Sequence, residues 1–439
     1  MKVLERNAGL TVRRVARSAS AALPQQVGVH ALSGLVRPGE LMYVPGASGA
    51  PLDFVASLLA HGEHQKDLRL LTSYVPGINT LDMRTMDTSA VVTGLFMHAG
   101  LQAAHRSGQY RCLPLSYAGF VRHVLDKIET DLAVVQLAPP DADGNCSLGP
   151  AVEFMPSILK KTRRVLGLIN QQTPRIPGAV SIPYADLDHV CEVDTPLPTY
   201  DTGSNAVTEA IARHIAPLVP DGSALQIGLG KVPMALSRLL CNRRMLRLHS
   251  GMLSDGLLDL ARAGALDPDF AHTTCALVGS ADLYRDIAGF DQLRVLGCEI
   301  THNPRVLIEI DNFVSVNSGL EVDLFGQCNL EHANGQAISG AGGAPDFARA
   351  ARLSAGGRSI VALNATHHAG KGSRIVPCLD SNAITTISRI DVDHVVTEYG
   401  VANLAGASVH ERAQAIISVA APDFREELST SWAAIAARL

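Results

Sequence analysis

The sequence predicts an α/β protein of two open domains, each built on a mostly parallel sheet flanked by helices. Three observations carry this prediction. Apolar runs of strand length alternate with helical stretches: Leu41–Pro45, Leu70–Tyr74, Ala90–Gly94 and Asp131–Leu137 early on, then Ala224–Ile227, Arg358–Leu363 and His394–Thr397. Alternation of this kind favours parallel strands joined by crossover helices. Glycine-rich turns follow several of these runs, as ligand-binding turns do at the lip of an α/β sheet. Finally, 439 residues exceed what one ordinary core organises.

Residues 1–35 begin with an amphipathic helical pattern carried by Val12, Val15, Ala16, Ala21 and Ala22. Leu41–Pro45 breaks into Gly46-Ala47-Ser48-Gly49-Ala50-Pro51, and Asp53–His61 places Leu52, Val55, Leu58 and Leu59 on one helical face. After Leu132–Leu137 comes a turn dense in Pro, Asp and Gly, from Ala138 to Gly149, which reads as a rigid rim loop. Val165–Asn170 is a further strand. The Pro- and Asp-rich stretch Asp194–Asp201 is the predicted boundary between domains at 1–195 and 200–439.

In the second half, Val207–Val219 is helical. Ala224–Ile227 enters Gly228-Leu229-Gly230, and a helix begins near Pro233, where proline is tolerated. Arg247–Ser250 is a short edge leading into Leu248-His249-Ser250-Gly251-Met252-Leu253-Ser254-Asp255-Gly256. Val314–Gln327 is a β region, Ile338–Phe347 is rich in glycine, and Ile384–Ile387 is a strand. Arg412–Val419 and Phe424–Ala437 are closing helices.

Composition narrows the function classes. The hydrophobic share is 47% and the charged share 18%, which is globular rather than disordered. A net charge of −5 gives no broad footprint for nucleic acid. The basic runs Lys160–Arg164 and Arg243-Arg244 read as solvated helix faces, with anion contact the alternative. Eight cysteines are scattered with no C-x-x-C pair, so the sequence calls for neither metal nor redox dithiol and predicts reduced, mostly buried thiols. No signal-like h-region and no stretch of 18 apolar residues is present, which predicts a cytoplasmic protein without a membrane partner.

Familiar cofactor motifs fail on their residues. Gly228-Leu229-Gly230-Lys231-Val232-Pro233 carries proline where a dinucleotide fingerprint needs its third glycine. His368–Ser373 echoes a phosphate loop, but Ala365 replaces the first glycine and Gly372 the magnesium-binding hydroxyl. His367-His368 beside Lys371 reads as an exposed turn. Alone, His249 reads first as a hydrogen-bonded structural histidine.

Taken in order, several stretches resemble the acetyl-CoA hydrolase/transferase family, which includes 4-hydroxybutyrate and butyryl-CoA:acetate CoA-transferases. They are Pro139-Pro140-Asp141 with Gly144–Gly149, Asn170 with Pro174-Arg175, Asp221-Gly222 to Pro233, and His249–Gly256. Val322–Gln327, Ser339–Phe347, and Val395–Leu404 with Pro422–Arg425 complete the series. The resemblance implies a CoA-transferase-type fold with the active site in the interdomain cleft, and a dimer or tetramer such as a homodimer. It implies coenzyme A as co-substrate, no tightly bound cofactor, and an acyl-CoA and a small acyl acceptor as partners.

In this family a glutamate attacks the acyl-CoA carbonyl, and a glutamyl-CoA thioester follows. By the resemblance, Gly228, Leu229, Gly230 and Lys231 form the glycine loop beside the nucleophile. Ser339, Gly340, Ala341, Gly342 and Gly343 form the turn near the thioester and pantetheine. Backbone N–H groups in such turns stabilise a tetrahedral oxyanion without side-chain obstruction.

The sequence departs from the family where the nucleophile belongs. In His249-Ser250-Gly251-Met252 the glutamate position is Gly251, and glycine forms no thioester. Ala344 stands where the family more often has glutamine. Three readings follow. The first is a thioester enzyme that passes its acyl group directly to an acceptor or to water, with Glu299, Glu398, His249 or Ser250 as base. The second is a non-catalytic acyl-CoA-binding or partner subunit. The third is an ordinary transferase served by another carboxylate.

Overall fold

The computed structural model describes residues 11–12, 23–201 and 203–439. Apart from Val12, the N-terminal amphipathic pattern lies outside the described residues. The chain forms two compact units. One takes the chain as far as Asp201 together with Ala271–Thr301; the other is Thr202–Phe270 with His302–Leu439. The return of 271–301 to the first unit has no signature in the hydrophobic pattern.

The main sheet of the first unit has eight strands: β1 (Gln25–Gln26), β2 (Leu41–Val44), β3 (Arg69–Thr72), β4 (Val91–Gly94), β5 (Tyr110–Cys112), β6 (Thr130–Leu137), β7 (Thr162–Asn170) and β8 (His189–Val193). They lie in the order β1-β8-β7-β6-β2-β3-β4-β5, every pairing parallel. Strands β6 and β7 are almost wholly buried, which explains their near-continuous apolar sequence. After β2 the chain turns at Gly46, where a Cβ would run into the Ser73 carbonyl. Helix α1 (Leu52–Ala60) follows and buries Phe54 and Leu58.

Segment 271–301 joins this unit through backbone bonds. Leu277 N–H donates to Pro150 O at 2.7 Å, and Val152 N–H to Cys275 O at 2.9 Å. Gly178 packs so closely on the Leu293 carbonyl that no Cβ fits there.

Several stretches quoted for the family are framework. Asn170 accepts from Gln172 N–H and Thr195 N–H and donates to Thr195 O, tying the ends of β7 and β8 together. Arg175 pairs with Asp141 and reaches the Pro139 and Asn145 carbonyls, which fixes the rim loop.

The second unit holds β9 (Ala224–Ile227), β10 (Arg247–Leu248), β11 (Phe313–Ser318), β12 (Arg358–Ala362), β13 (His394–Thr397) and β14 (Gly400–Asn403). Their order is β10-β9-β11-β12-β13-β14, parallel except for the closing β13/β14 hairpin. Helix α2 (Ala206–Ile215) starts with a capping box between Asn205 and Thr208. Helix α3 (Lys231–Leu240) begins two residues before Pro233 and buries Val232, Ala235, Leu236 and Leu240. Helix α4 (Ala344–Leu353) follows the glycine-rich turn, and α5 (Val409–Ser418) and α6 (Arg425–Ala436) close the chain.

The strand expected at Ile384–Ile387 is reduced to one bridge, Ile387 to Cys328. The backbone bonds of Thr386 and Ile387 all converge on Cys328, and Thr386 Oγ1 donates to Glu331 and accepts Leu330 N–H, so the pairing stops at one residue. Asp323, fully buried, accepts from the Phe325 and Gln327 N–H groups and from Gln327 Nε2. Among the described residues, no helix is long and apolar enough to cross a membrane.

Candidate active site

Two strands of the second unit deliver the candidate residues to one edge. Strand β9 ends in Gly228-Leu229-Gly230, and Gly230 sits at φ +124, a backbone that side chains rarely adopt. Neighbouring β10 ends in His249-Ser250-Gly251. Ser250 holds the two turns together, its hydroxyl lying 2.5 Å from Ile227 O and 3.0 Å from Met252 O. His249 is fully buried, its N–H donating to Leu225 O and its ring edge-on to Phe313. Lys231, the first residue of α3, is exposed.

The turn Ser339–Gly343 is half-buried and runs into α4, with Gly342 at φ +55. Gly251 and Gly343 meet over one side chain, His302. A Cβ on Gly251 would stand 2.9 Å from His302 Nε2, and one on Gly343 would stand closer still. The imidazole is sandwiched against Phe347, with ring centroids 4.7 Å apart, and is 1% exposed. Burial, with His249 beside it, brings His302 down to about 3, so the ring is neutral at physiological pH.

The other base candidates stand differently. Glu398 accepts the Ala365 N–H at 2.8 Å, fixing the turn after β12. Glu299 belongs to the first unit; burial raises its carboxyl, and Gly297 leaves it space that a Cβ would fill.

Sequence reasoning missed two groups. His302 lies far from Gly251 in sequence, and nothing in His302-Asn303-Pro304 beyond a helix start at Asn303 marks it. Glu153, in the first unit, is 1% exposed and holds a left-handed backbone at φ +40. It accepts from Ser73 Oγ at 2.8 Å, while its Oε1 has no hydrogen-bond partner. Ser73 in turn accepts the Gly46 N–H at 2.9 Å. Burial pushes Glu153 up to about 7, against the Ser73 and Gly46 hydrogen bonds.

The comparisons agree with this architecture. The acetyl-CoA hydrolase/transferase N-terminal domain matches residues 25–199, and the C-terminal domain of the same family matches 279–432. The 4-hydroxybutyrate coenzyme A transferase of Clostridium kluyveri is 34% identical over 395 residues, 88% of this chain and 92% of that protein. The crystal structure of RipA from Yersinia pestis superposes with a TM-score of 0.86 at 28% identity, covering 94% of this chain and 97% of that one. A 4-hydroxybutyrate CoA-transferase from Porphyromonas gingivalis gives 0.77 at 28% identity, covering 94% and 98%. With both domains matched in order and a long relative above 30% identity, this chain belongs to the acetyl-CoA hydrolase/transferase family.

Proposed function

We propose that this protein is an acyl-CoA enzyme that works without a glutamyl-CoA intermediate, transferring between a CoA thioester and a small carboxylate or water. One observation carries the reading. The position that the family resemblance assigns to the nucleophile is Gly251, and the space a side chain would need there is filled by His302. The site is repacked around glycine.

With water as acceptor, the water oxygen attacks the thioester carbonyl, the C–S bond breaks, and the released thiolate takes up the water's proton. With a carboxylate as acceptor, attack gives a mixed anhydride and CoA thiolate within one complex. The thiolate then attacks the acceptor's carbonyl and the anhydride C–O bond breaks, leaving a new thioester and the donor's carboxylate. Both routes pass through a tetrahedral oxyanion. The N–H groups of Gly228–Gly230 and Gly340–Gly343 are the donors assigned to it in this reading, the Ser339 N–H being bonded to Glu331 O. Ser250, bonded to Ile227 O and Met252 O, tethers the turn at 228–230, and His249 is buried beside it.

The test is a panel of acyl-CoA thioesters with and without acceptor acids, reading free CoA and new thioester. Release or transfer supports the enzyme. Binding without turnover across the panel supports the alternative, a non-catalytic acyl-CoA-binding or partner subunit. Whether the chain assembles as a homo-oligomer is read separately, by its mass in solution.

A further inference from the structure

A cleft on the second unit is lined by Arg352, Arg389 and Arg412, with Phe325, Ile390 and Val409 among its apolar walls. It lies at the opposite edge of the sheet from the glycine turns. Arg352 sits near the end of α4, ahead of β12, and Arg389 in the turn just ahead of β13. The turns at 228–230 and 249–251 instead follow the carboxyl ends of β9 and β10.

The cleft carries positive charge that the described residues do not fully neutralise. Arg352 is paired with the buried Asp393, and neighbouring Arg349 occupies Asp391. Arg412 directs three of its five N–H groups to backbone carbonyls, those of Phe325, Leu404 and Arg389, which leaves one N–H on each terminal nitrogen. These acceptors orient the guanidinium but do not cancel its charge. Arg389 has no carboxylate partner among the described residues, and its guanidinium lies 5.8 Å from the centre of the Phe325 ring. Arg352 and Arg389 also crowd Arg412 electrostatically, adding to burial in lowering its guanidinium below the usual value.

Beside these cations the wall is apolar and open. Ile390 is 63% exposed and Val409 38% exposed. Guanidinium forks match the several acceptor oxygens of a phosphate, whereas a lone carboxylate engages one fork. An organic body attached to that phosphate covers the exposed aliphatic side chains. We propose that this cleft binds a small phosphate ester, with the phosphate between Arg389 and Arg412 and the organic part on Ile390 and Val409.

AMP and inorganic phosphate are the probes, used on the full chain by thermal shift and equilibrium dialysis. AMP is expected to raise the melting temperature by about 2 °C or more at saturation, and to bind at least about five-fold tighter than phosphate. Arg389→Ser, at an exposed position outside the catalytic turns, is expected to abolish both effects with its circular dichroism unchanged. Ile390→Ser is expected to weaken AMP and leave phosphate alone. No AMP binding in the wild type, or binding that survives Arg389→Ser, overturns the proposal. AMP binding no tighter than phosphate overturns it too, because the apolar wall then contributes nothing. CoA and dephospho-CoA form the last arm. If Arg389→Ser weakens CoA but not dephospho-CoA, the cleft serves the substrate's own phosphate, and the separate ligand is refuted.

Discussion

His302 Nε2 lies 2.9 Å from the point where a Cβ on Gly251 would stand. That is well inside van der Waals contact, so a side chain at 251 requires the His302 imidazole to shift, and glycine at 251 and histidine at 302 are matched to each other. Gly343 completes the match from the other side of the ring. A larger residue at either glycine must displace an imidazole that Phe347 holds in place.

This gives the first prediction. Gly251→Glu alone overpacks the site, costs about 1–3 kcal/mol of stability, and yields no glutamyl adduct. Adding His302→Ala makes room, and Gly251→Glu with His302→Ala forms a trappable adduct with acetyl-CoA. Thermal melts and intact mass read the two effects. An adduct in the single variant, equal to that in the double, refutes the steric match.

His302 also sets an acid limit. Its folded value of about 3 lies below the ordinary 6.5, so the unfolded chain binds the proton first as pH falls. The stabilising contribution is present above pH 6.5 and is lost as pH drops toward 3, by up to about 1.4 kcal/mol per pH unit. In His302→Gln the loss of melting temperature between pH 6.5 and 4.5 becomes shallower. An unchanged slope contradicts this assignment.

Glu153 acts in the opposite sense. Its folded value of about 7 stands above the ordinary 4.5, so the folded chain keeps a proton that the unfolded chain has released. Its contribution is complete below pH 4.5 and declines as pH rises to 7, by about 3 kcal/mol in all. Glu153→Gln keeps an acceptor for Ser73 and removes that decline. The readout is the slope of melting temperature against pH, and an identical slope in the variant sinks the claim.

Ser250 is expected to matter through geometry. Ser250→Ala frees the Ile227 and Met252 carbonyls of their shared donor and costs about 1–2 kcal/mol. With the turns looser, kcat is expected to fall more than KM rises. A variant as stable and active as the parent shows that the hydroxyl tethers nothing.

Much of this architecture was legible in sequence because it rests on local rules. The strands at 41–44, 130–137 and 224–227 are apolar runs ended by turn residues, and burial on both faces wrote them that way. Gly251, the glycine loop and the turn at 339–343 were singled out only through family resemblance. His302 was not, because its role comes from packing between residues distant in sequence. Glu153 was missed for a similar reason. A glutamate in the apolar stretch Pro150–Met155 gives no sign of being fully buried or of its left-handed backbone. The strand expected at 384–387 shrank to one bridge because its backbone bonds converge on Cys328 alone.

The most direct test of the central claim is intact mass of the wild-type protein during turnover of acetyl-CoA with an acceptor acid, with borohydride or hydroxylamine as trap. CoA is expected to be released or transferred while the protein mass stays unmodified. A glutamyl adduct on any carboxylate of the wild-type chain, formed at the rate of turnover, would contradict the claim.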